Sequence, residues 1–303
     1  MRKHADDVPV LLSGRHFTAQ ELFEVQETVR MFSNLSRYEL THTLCENLNW
    51  VTPAGRYKLS SCLQLLEKLE SQGLVTLPEK RPKGRPNSNR ERIIFGPGTE
   101  PGDLLSGDVT DYSPITLKPL QGPGELGLWN EYVHRYHTLG YKRPFGAHQR
   151  YFIFSVTTPK PLGCLLFAAS AWALQVRDEW IGWTEVDRSL RLNFIVNNTR
   201  LLIFPWVQIK NLASKVLSLA VKRVGQDWQA RYGYSPVLLE TFVDPEKYRG
   251  TCYKAANWLF LGRTKGRGRS ERHNKRPFSQ KDIYVYPLVA DFRSYLKGET
   301  AHE

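Results

Sequence analysis

Apolar residues that recur every three or four positions predict three helices near the start of the chain. Thr18 with Glu21, and Ser36 with Glu39, match the capping box that opens a helix, in which a hydroxyl and a carboxylate bond each other's backbone N–H groups. Gly73 suits the position just after the third helix. The apolar positions of these helices each fall on one face and include Leu22, Val25, Val29, Leu40, Leu44, Leu48, Cys62, Leu66 and Leu69.

Two short apolar runs after the helices, residues 74–77 and 92–95, predict a hairpin with a long basic tip. Three helices followed by such a hairpin are typical of a winged helix, in which the third helix enters the major groove of DNA. Lys83-Gly84-Arg85-Pro86 in the tip resembles an AT-hook core, whose thin backbone fits a narrow minor groove. We therefore predict a winged-helix DNA-binding domain over residues 1–95, although a solvated loop would carry the same charges. The predicted DNA contacts here are Arg56, Lys58, Lys80, Arg81, Lys83, Arg85 and Arg90.

The composition changes after this module. Residues 96–127 are rich in Gly and Pro, carry more acidic than basic residues, and show neither helical nor strand periodicity, so we predict a linker. From residue 128 to 303, apolar strand-like runs alternate with helical patterns, which predicts a mixed α/β domain. The overall expectation is an α+β protein: a winged helix, a linker and an α/β domain.

A second basic segment spans residues 263–281, where the only acidic residue is Glu271. Its glycines favour a phosphate-binding loop over an ordinary surface loop. The predicted nucleic-acid contacts are Arg263, Lys265, Arg267, Arg269, Arg272, Lys275 and Arg276.

The whole chain of 303 residues carries a formal net charge of +12, which indicates a polyanionic partner or a basic enzyme surface. The four cysteines form no C-x-x-C pair, so no zinc site is expected. No apolar run reaches the length of about 20 residues that a bilayer requires. We expect a cytoplasmic protein without a membrane segment or a resident cofactor.

Three carboxylates of the second domain are candidates for catalysis: Glu240, Asp244 and Asp178. Carboxylates grouped at strand ends bind Mg²⁺ and support phosphodiester cleavage. His137, His148 and Arg150 could then assist as an acid or a phosphate clamp. The competing interpretation, which we favour because no metal motif is present, is that Glu240 and Asp244 cap the next helix and pair with nearby basic side chains.

Several long strings, including 239–244 (LETFVD), 250–258 (GTCYKAANW), 177–183 (RDEWIGW) and 211–214 (NLAS), resemble the Druantia anti-phage protein DruA family. The similarity extends into the N-terminal module and so covers most of the chain. It implies a prokaryotic defence or mobile-element setting with other defence proteins as partners, and it supplies no known active site.

The order of elements also resembles the GNAT acetyltransferase fold. Gln208 to Ala213 resembles the turn that holds the coenzyme A pyrophosphate there, except that Asn211 replaces the middle glycine. Trp258 occupies the position of the tyrosine that often serves as the general acid in those enzymes. Both departures favour a GNAT-like domain without acetyl-CoA chemistry. The sequence thus predicts a DNA-binding defence protein, with a nuclease or transposition-associated enzyme and an acyltransferase as the alternatives.

Overall fold

The computed structural model describes residues 10–12, 15–53, 55–79, 93, 95–144, 146–171, 174–264 and 279–299. The α-helices in these residues are α1 (Ala19–Met31), α2 (Arg37–Asn47), α3 (Leu59–Ser71), α4 (Gly122–Tyr136), α5 (Gln175–Ile181), α6 (Glu185–Arg191), α7 (Leu212–Tyr232), α8 (Thr251–Ala255) and α9 (Phe292–Leu296). None of the helices among them is both apolar enough and long enough to cross a bilayer.

The β-strands are β1 (Val10–Leu12), β2 (Arg15–Phe17), β3 (Leu105–Asp108), β4 (Ile115–Pro119), β5 (His148–Ser155), β6 (Gly163–Ala169), β7 (Ile195–Ile203), β8 (Val207–Lys210), β9 (Leu238–Val243), β10 (Leu259–Arg263) and β11 (Asp282–Pro287). Seven of them form one sheet in the order β10-β11-β9-β7-β6-β5-β4. The mixed α/β architecture expected for the second half of the chain is confirmed.

The large sheet is mostly antiparallel, because β4 to β7 follow one another as a meander and β9, β11 and β10 are also joined antiparallel. β7 and β9 instead run parallel, which requires a crossover, and α7 provides it. The centre of the sheet is apolar on both faces: β6 is buried from Gly163 to Ala168. A Cβ at Gly163 would lie 2.1 Å from the carbonyl oxygen of Leu202, so the close approach of β6 to β7 requires glycine there.

The three predicted N-terminal helices are present, and both predicted capping boxes are formed. The backbone N–H of Glu21 donates to Thr18 Oγ1 at 3.1 Å, and that of Glu39 donates to Ser36 Oγ at 3.3 Å. The sequence did not predict the small β1–β2 hairpin that precedes α1.

The predicted wing is not confirmed. Residues 74–79 contain no strand, and of the expected partner run 92–95 only Ile93 and Phe95 are described, neither in a strand. The reason is that this segment folds back on α3: the Leu74 N–H donates to the Leu69 carbonyl, and the Leu77 N–H donates to Glu70 Oε1 at 3.2 Å. Backbone donors used in this way cannot join a ladder. Lys80, Arg81, Lys83, Arg85 and Arg90 lie outside the described residues.

The expectation of a structureless linker over residues 96–127 is wrong. This segment contains β3, which pairs with β8, and β4, which forms one edge of the large sheet, and α4 begins within it at Gly122. In β4 the buried residues Ile115 and Leu117 alternate with exposed ones, which is a strand pattern. The pattern was not recognised in the sequence because it is only five residues long and lies among glycines and prolines. Pro119 is tolerated because it ends an edge strand.

The N-terminal helices pack directly against the C-terminal half of the chain. Phe32, which is fully buried just after α1, contacts Phe194 and Tyr234 with ring centroids 5.3 and 4.8 Å away. Asn47 at the end of α2 donates to the Ser189 carbonyl at 2.8 Å. The apolar core is therefore continuous between the two parts.

Phe32→Ala should destabilise the whole protein, because it removes the ring that joins the two parts of this core. We expect a loss of about 3–5 kcal/mol in the free energy of unfolding, measured by urea denaturation. Phe23→Ala, on the half-exposed face of α1, is the matched control and should cost less than about 1 kcal/mol. Equal effects of the two substitutions would contradict the joint core.

Candidate functional site

A cleft opens in the large sheet where β7 and β9 separate. The two strands pair only from Ile195 to Asn197 with Leu238 to Glu240, although both continue beyond these residues. A β-bulge in β7 lies at this point, since Leu166 of β6 pairs with Arg200 and Phe167 pairs with Asn198, which leaves Thr199 unmatched. A bulge bends its strand and interrupts pairing, so it explains why β7 turns away from β9.

A network of polar side chains holds the floor of the cleft. Tyr253 of α8 donates its hydroxyl to Asn198 Oδ1 at 2.7 Å, and Thr241 of β9 donates to the Asn198 carbonyl at 2.9 Å. Asn198 Nδ2 donates to the Leu166 carbonyl at 3.1 Å, which anchors the bulge to β6. Burial raises the pKa of the Tyr253 hydroxyl, so this group stays protonated and remains a donor. Thr199 Oγ1 is buried beside the network without a partner among the described residues.

The cleft has a volume of about 580 Å³, an apolar wall and a basic mouth. Leu201 and Ile203 of β7 contribute to the wall. Basic side chains outnumber acidic ones among the lining residues at the mouth, which include Asp244, Lys247, Arg249 and Lys281. The mouth therefore favours an anionic ligand.

Two lining residues that could titrate are held neutral. Burial, followed by the charge of Arg200, lowers the pKa of His137 to about 4, and its Nδ1 accepts from the Leu139 N–H at 3.1 Å. Burial raises the pKa of the Cys252 thiol, which disfavours the thiolate that a nucleophile requires. Near neutral pH neither group acts as a charged catalyst.

The turn between β8 and α7 has the predicted strand–turn–helix form. Asn211 occupies it with φ +64°, the left-handed conformation that Asn tolerates better than most other residues with a side chain. Its Nδ2 donates to Asp108 Oδ2 at 3.2 Å. Hydrogen bonds from Thr110 lower the pKa of Asp108, so a carboxylate anion lies beside the first turn of α7. An anion in that position opposes the approach of pyrophosphate.

Glu240, the first predicted catalytic carboxylate, lies in a buried ion-pair network. Glu240 Oε2 accepts from Arg177 Nη1 at 2.9 Å, and Oε1 accepts from the Ala171 N–H at 2.8 Å. Both side chains of the pair are fully buried. Burial lowers the pKa of Arg177, but the charges of Glu240 and Asp178 more than offset this and raise it above the usual value. Successive residues of a strand face opposite sides, so Glu240 lies behind Thr241 and away from the floor of the cleft.

The other two carboxylates are engaged as well. Asp178 accepts from Arg177 Nη2 at 2.7 Å and pairs with Arg188 at 3.4 Å. Asp244 lies at the cleft and caps the following turn, where it accepts from the Glu246 N–H at 3.2 Å. Throughout the part of the chain that the structure describes, no group of three or more His, Cys, Asp or Glu side chains could hold a metal ion. The structure thus gives Glu240 the pairing with a basic side chain that we favoured from the sequence, and it places Asp178 in the same network.

The described basic residues of the predicted DNA contacts are accessible. Arg56 is exposed in the turn before α3, and Lys58 is partly exposed as the residue preceding that helix. Arg263 ends β10 and pairs with Asp282 at 2.8 Å, with more than half of its side chain exposed. Lys265, Arg267, Arg269, Arg272, Lys275 and Arg276 lie outside the described residues.

Asn198 and Thr199 were not among the site residues predicted from the sequence. The sequence does contain a signal for this place, the pair Asn197-Asn198. These two amide side chains lie between two apolar runs that predict strand. Buried amides need partners, and such a pair within a strand indicates a place where the ladder is broken. The partners themselves come from α8 and β6, which no local pattern identifies.

The chain is thus a mixed α/β protein with a basic-mouthed cleft between diverging parallel strands. A family model described as Druantia protein DruA matches residues 68–277, so the protein belongs to the DruA family of anti-phage defence components. No curated protein sequence matches the chain.

Among solved structures, the neighbours include acetyltransferases. An aminoglycoside acetyltransferase AAC(6')-Ib in complex with coenzyme A and kanamycin is 16% identical, over 60% of this chain and 99% of that one, with a TM-score of 0.39. The spermidine/spermine N-acetyltransferase SpeG of Vibrio cholerae is 11% identical over 62% and 99%, with a TM-score of 0.37. A probable acetyltransferase of the GNAT family from Chromobacterium violaceum is 11% identical over 70% and 97%, with a TM-score of 0.36. Similarity at this level says nothing about activity.

Glu240→Ala should unfold the protein more easily, because it leaves Arg177 buried without its partner. We expect a loss of about 3–5 kcal/mol in the free energy of unfolding. Asp244→Ala is the control, a carboxylate of the cleft without a buried ion pair, and should cost about 1 kcal/mol or less. A stable Glu240→Ala protein in urea denaturation would show that the network does not support the fold.

Proposed function

We propose that this protein is the DNA-binding component of an anti-phage defence system. The observation that supports this most strongly is the distribution of its positive charge. The net charge of +12 is concentrated in the segments 80–92 and 263–281. Lys281, at the end of the second segment, lines the mouth of the cleft together with Lys247 and Arg249. Clustered cations of this kind are the electrostatic footprint of a nucleic-acid-binding protein.

The second basic segment leaves and re-enters the sheet beside the cleft. It connects β10 to β11, and the Thr264 N–H donates to the Lys281 carbonyl at 2.9 Å where the segment begins and ends. This hydrogen bond holds the two ends of the segment side by side. Lys281, at one of these ends, lines the cleft, so phosphate contacts made by the segment would add to those of the cleft cations Lys247 and Arg249.

The N-terminal helices provide the second proposed DNA contact. α2 and α3 pack together, and the residues that precede α3, Arg56 and Lys58, are accessible to a phosphate or a base edge. These features are compatible with a helix-turn-helix that docks α3 in the major groove. The wing over residues 80–92 remains a proposal from sequence alone. Other proteins of the defence system are the further partners that the family suggests.

A specific observation favours acyl transfer as the second candidate. Besides the cleft between diverging strands, the chain has a strand, β8, that turns directly into a helix, α7, as in the coenzyme A-binding turn that Gln208 to Ala213 resembles. Three features oppose it. Asp108 places a carboxylate beside that turn, Trp258 is buried and carries no acidic proton, and the Tyr253 hydroxyl is committed to Asn198. We therefore place DNA binding first.

Binding to DNA should weaken steeply with salt, because each phosphate contact releases condensed counterions. We expect a slope of the logarithm of the association constant against the logarithm of salt concentration of about −5 or steeper. Fluorescence anisotropy with labelled duplex and single-stranded oligonucleotides measures it. A flat dependence would contradict the electrostatic basis of the proposal.

Removing positive charges from the second basic segment shows how much this segment contributes to the salt dependence of DNA binding. Arg263→Ala with Arg267→Ala and Arg269→Ala should make the slope shallower by about one unit for each phosphate that the protein no longer neutralises. The control is Arg30→Ala with Lys297→Ala, which removes one exposed and one partly exposed basic residue outside both segments. If the control changes the slope as much as the triple variant, the segment has no special role.

Acetyl-CoA should not bind in the micromolar range, because Asp108 repels the pyrophosphate. Isothermal titration calorimetry tests the wild-type protein alongside Asp108→Asn and Asp111→Asn, the second being a neighbouring exposed carboxylate. Tight binding to the wild type would revive acyl transfer. Binding that appears only in Asp108→Asn would show that the fold retains the site and that this carboxylate closes it.

A further inference from the structure

Among the described residues, the inner end of the cleft carries no charged side chain. Its floor consists of Asn198, Thr241 and Tyr253, which are neutral and hydrogen-bonded to one another. Above the floor the wall is apolar, with Leu201 and Ile203 on its β7 side. An anionic group buried at the floor would lose its water without gaining a positive partner. A ligand of this cleft must therefore place an uncharged part inside.

The mouth of the cleft has the opposite character. Lys247 and Arg249 are exposed in the turn that follows β9, and Lys281 directly precedes β11. None of these three cations forms an ion pair with a carboxylate of the described chain. Asp244, the one carboxylate among the described lining residues, accepts from the Glu246 N–H at 3.2 Å. The mouth can therefore hold the anionic part of a ligand whose uncharged part lies inside.

The pairing of three strands places further positive charge at the same end of the sheet. Asp282 of β11 pairs with Val243 of β9, so Lys281 lies beside the turn that follows β9. Asp282 also pairs with Arg263 of β10, which puts Arg263 two strand spacings, or about 10 Å, from Val243. Cations that extend across three strands suit successive phosphates along a chain better than the single head group of a small molecule.

An exposed aromatic ring also lies at the mouth. Tyr248 stands between Lys247 and Arg249 in the chain, lines the cleft and is 52% exposed. Within the described part of the chain, its ring packs against no other aromatic ring and has no basic side chain over it. Its backbone N–H donates to the Asp244 carbonyl at 2.8 Å, which fixes the turn. A ring between two cations provides a stacking surface for a base whose phosphates those cations bind.

We propose that the cleft receives one unpaired nucleotide of a bound DNA strand, with its base inside and its phosphates at the mouth. The volume of about 580 Å³ falls within the range of small-ligand sites, about 300–1,000 Å³. Lys247, Arg249 and Lys281 contact the phosphates on either side of the nucleotide, and Tyr248 stacks on its base. This inference rests on the DNA-binding function proposed above. A base within a duplex must first leave its stack, so the site favours a strand that already has an unpaired base.

The first measurement compares single strands with and without bases. Fluorescence anisotropy gives the affinity of the full-length protein for an oligothymidylate and for an abasic strand of the same length, which keeps the phosphates. The wild type should bind the abasic strand about fivefold or more weakly, the effect of losing one stacked base. Equal affinity for the two strands overturns this inference and leaves the DNA-binding function intact.

Tyr248→Ala shows whether that loss arises at the cleft. The substitution should lower the affinity for oligothymidylate about fivefold and leave that for the abasic strand unchanged, because a ring that stacks on a base contributes nothing where the base is missing. Phe23→Ala, which removes a similarly exposed ring from α1, is the matched control and should bind both strands as the wild type does. An equal loss on both strands, or no loss on either, overturns the inference.

The second measurement shows whether the base occupies the interior of the cleft. Cys252 lines the cleft and is partly exposed, whereas Cys45, Cys62 and Cys164 are buried and report any opening of the fold. Alkylation by N-ethylmaleimide is followed for each cysteine by mass spectrometry. Saturating oligothymidylate should suppress the alkylation of Cys252, and saturating abasic strand should not. Alkylation that continues unchanged under oligothymidylate overturns the inference even where the strand binds.

A free nucleotide has the same chemistry as a nucleotide within a strand, and the same assays separate the two sources. If neither strand binds, the DNA-binding function is refuted, and protection of Cys252 by thymidine monophosphate then upholds the cleft as a site for a free nucleotide. If neither the strand nor the monophosphate protects Cys252, the site is refuted. Protection by acetyl-CoA but not by oligothymidylate overturns the inference and returns the cleft to acyl transfer.

Discussion

The parallel pairing of β7 with β9, and its abrupt end, is the constraint on which the site depends. Where the pairing ends, polar side chains form hydrogen bonds on both faces of the sheet. On one face Glu240 is held by Arg177, and on the other Thr241 and Tyr253 are held by Asn198. The ion pair keeps β9 fixed against α5, while Asn198 fixes the bulge to β6. The hydrogen bond from Thr241 to the Asn198 carbonyl joins the two strands where their ladder ends, and the bulge turns β7 away beyond this point.

The carboxylates that we considered for catalysis instead stabilise the fold. Glu240 and Asp178 resemble catalytic carboxylates in sequence because they stand near strand and helix ends. The Glu240 side chain is fully buried and its oxygens accept from a buried guanidinium and a backbone N–H, so it is not accessible to a ligand. The accessible charge of the described cleft is instead basic, at Lys247, Arg249 and Lys281. Its chemistry is therefore suited to binding an anion.

The buried arginines illustrate a second principle. Arg177 and Arg150 both lie inside the fold, yet one is neutralised by two carboxylates and the other rests on an aromatic ring. The two buried arginines are therefore stabilised in different ways, one by ion pairs and the other by the face of an aromatic ring.

The sequence by itself determined the three N-terminal helices, their two capping boxes and the apolar strands of the sheet, because these depend on residues within a few positions of one another. It also determined the family and the charge. Only the tertiary structure decided that residues 96–127 supply strands, that residues 74–79 fold back on α3, and that Phe32 joins the helices to the sheet. It also decided which charges are paired. Such outcomes depend on contacts between residues far apart in the chain, as between Arg177 and Glu240, and local periodicity carries no information about them.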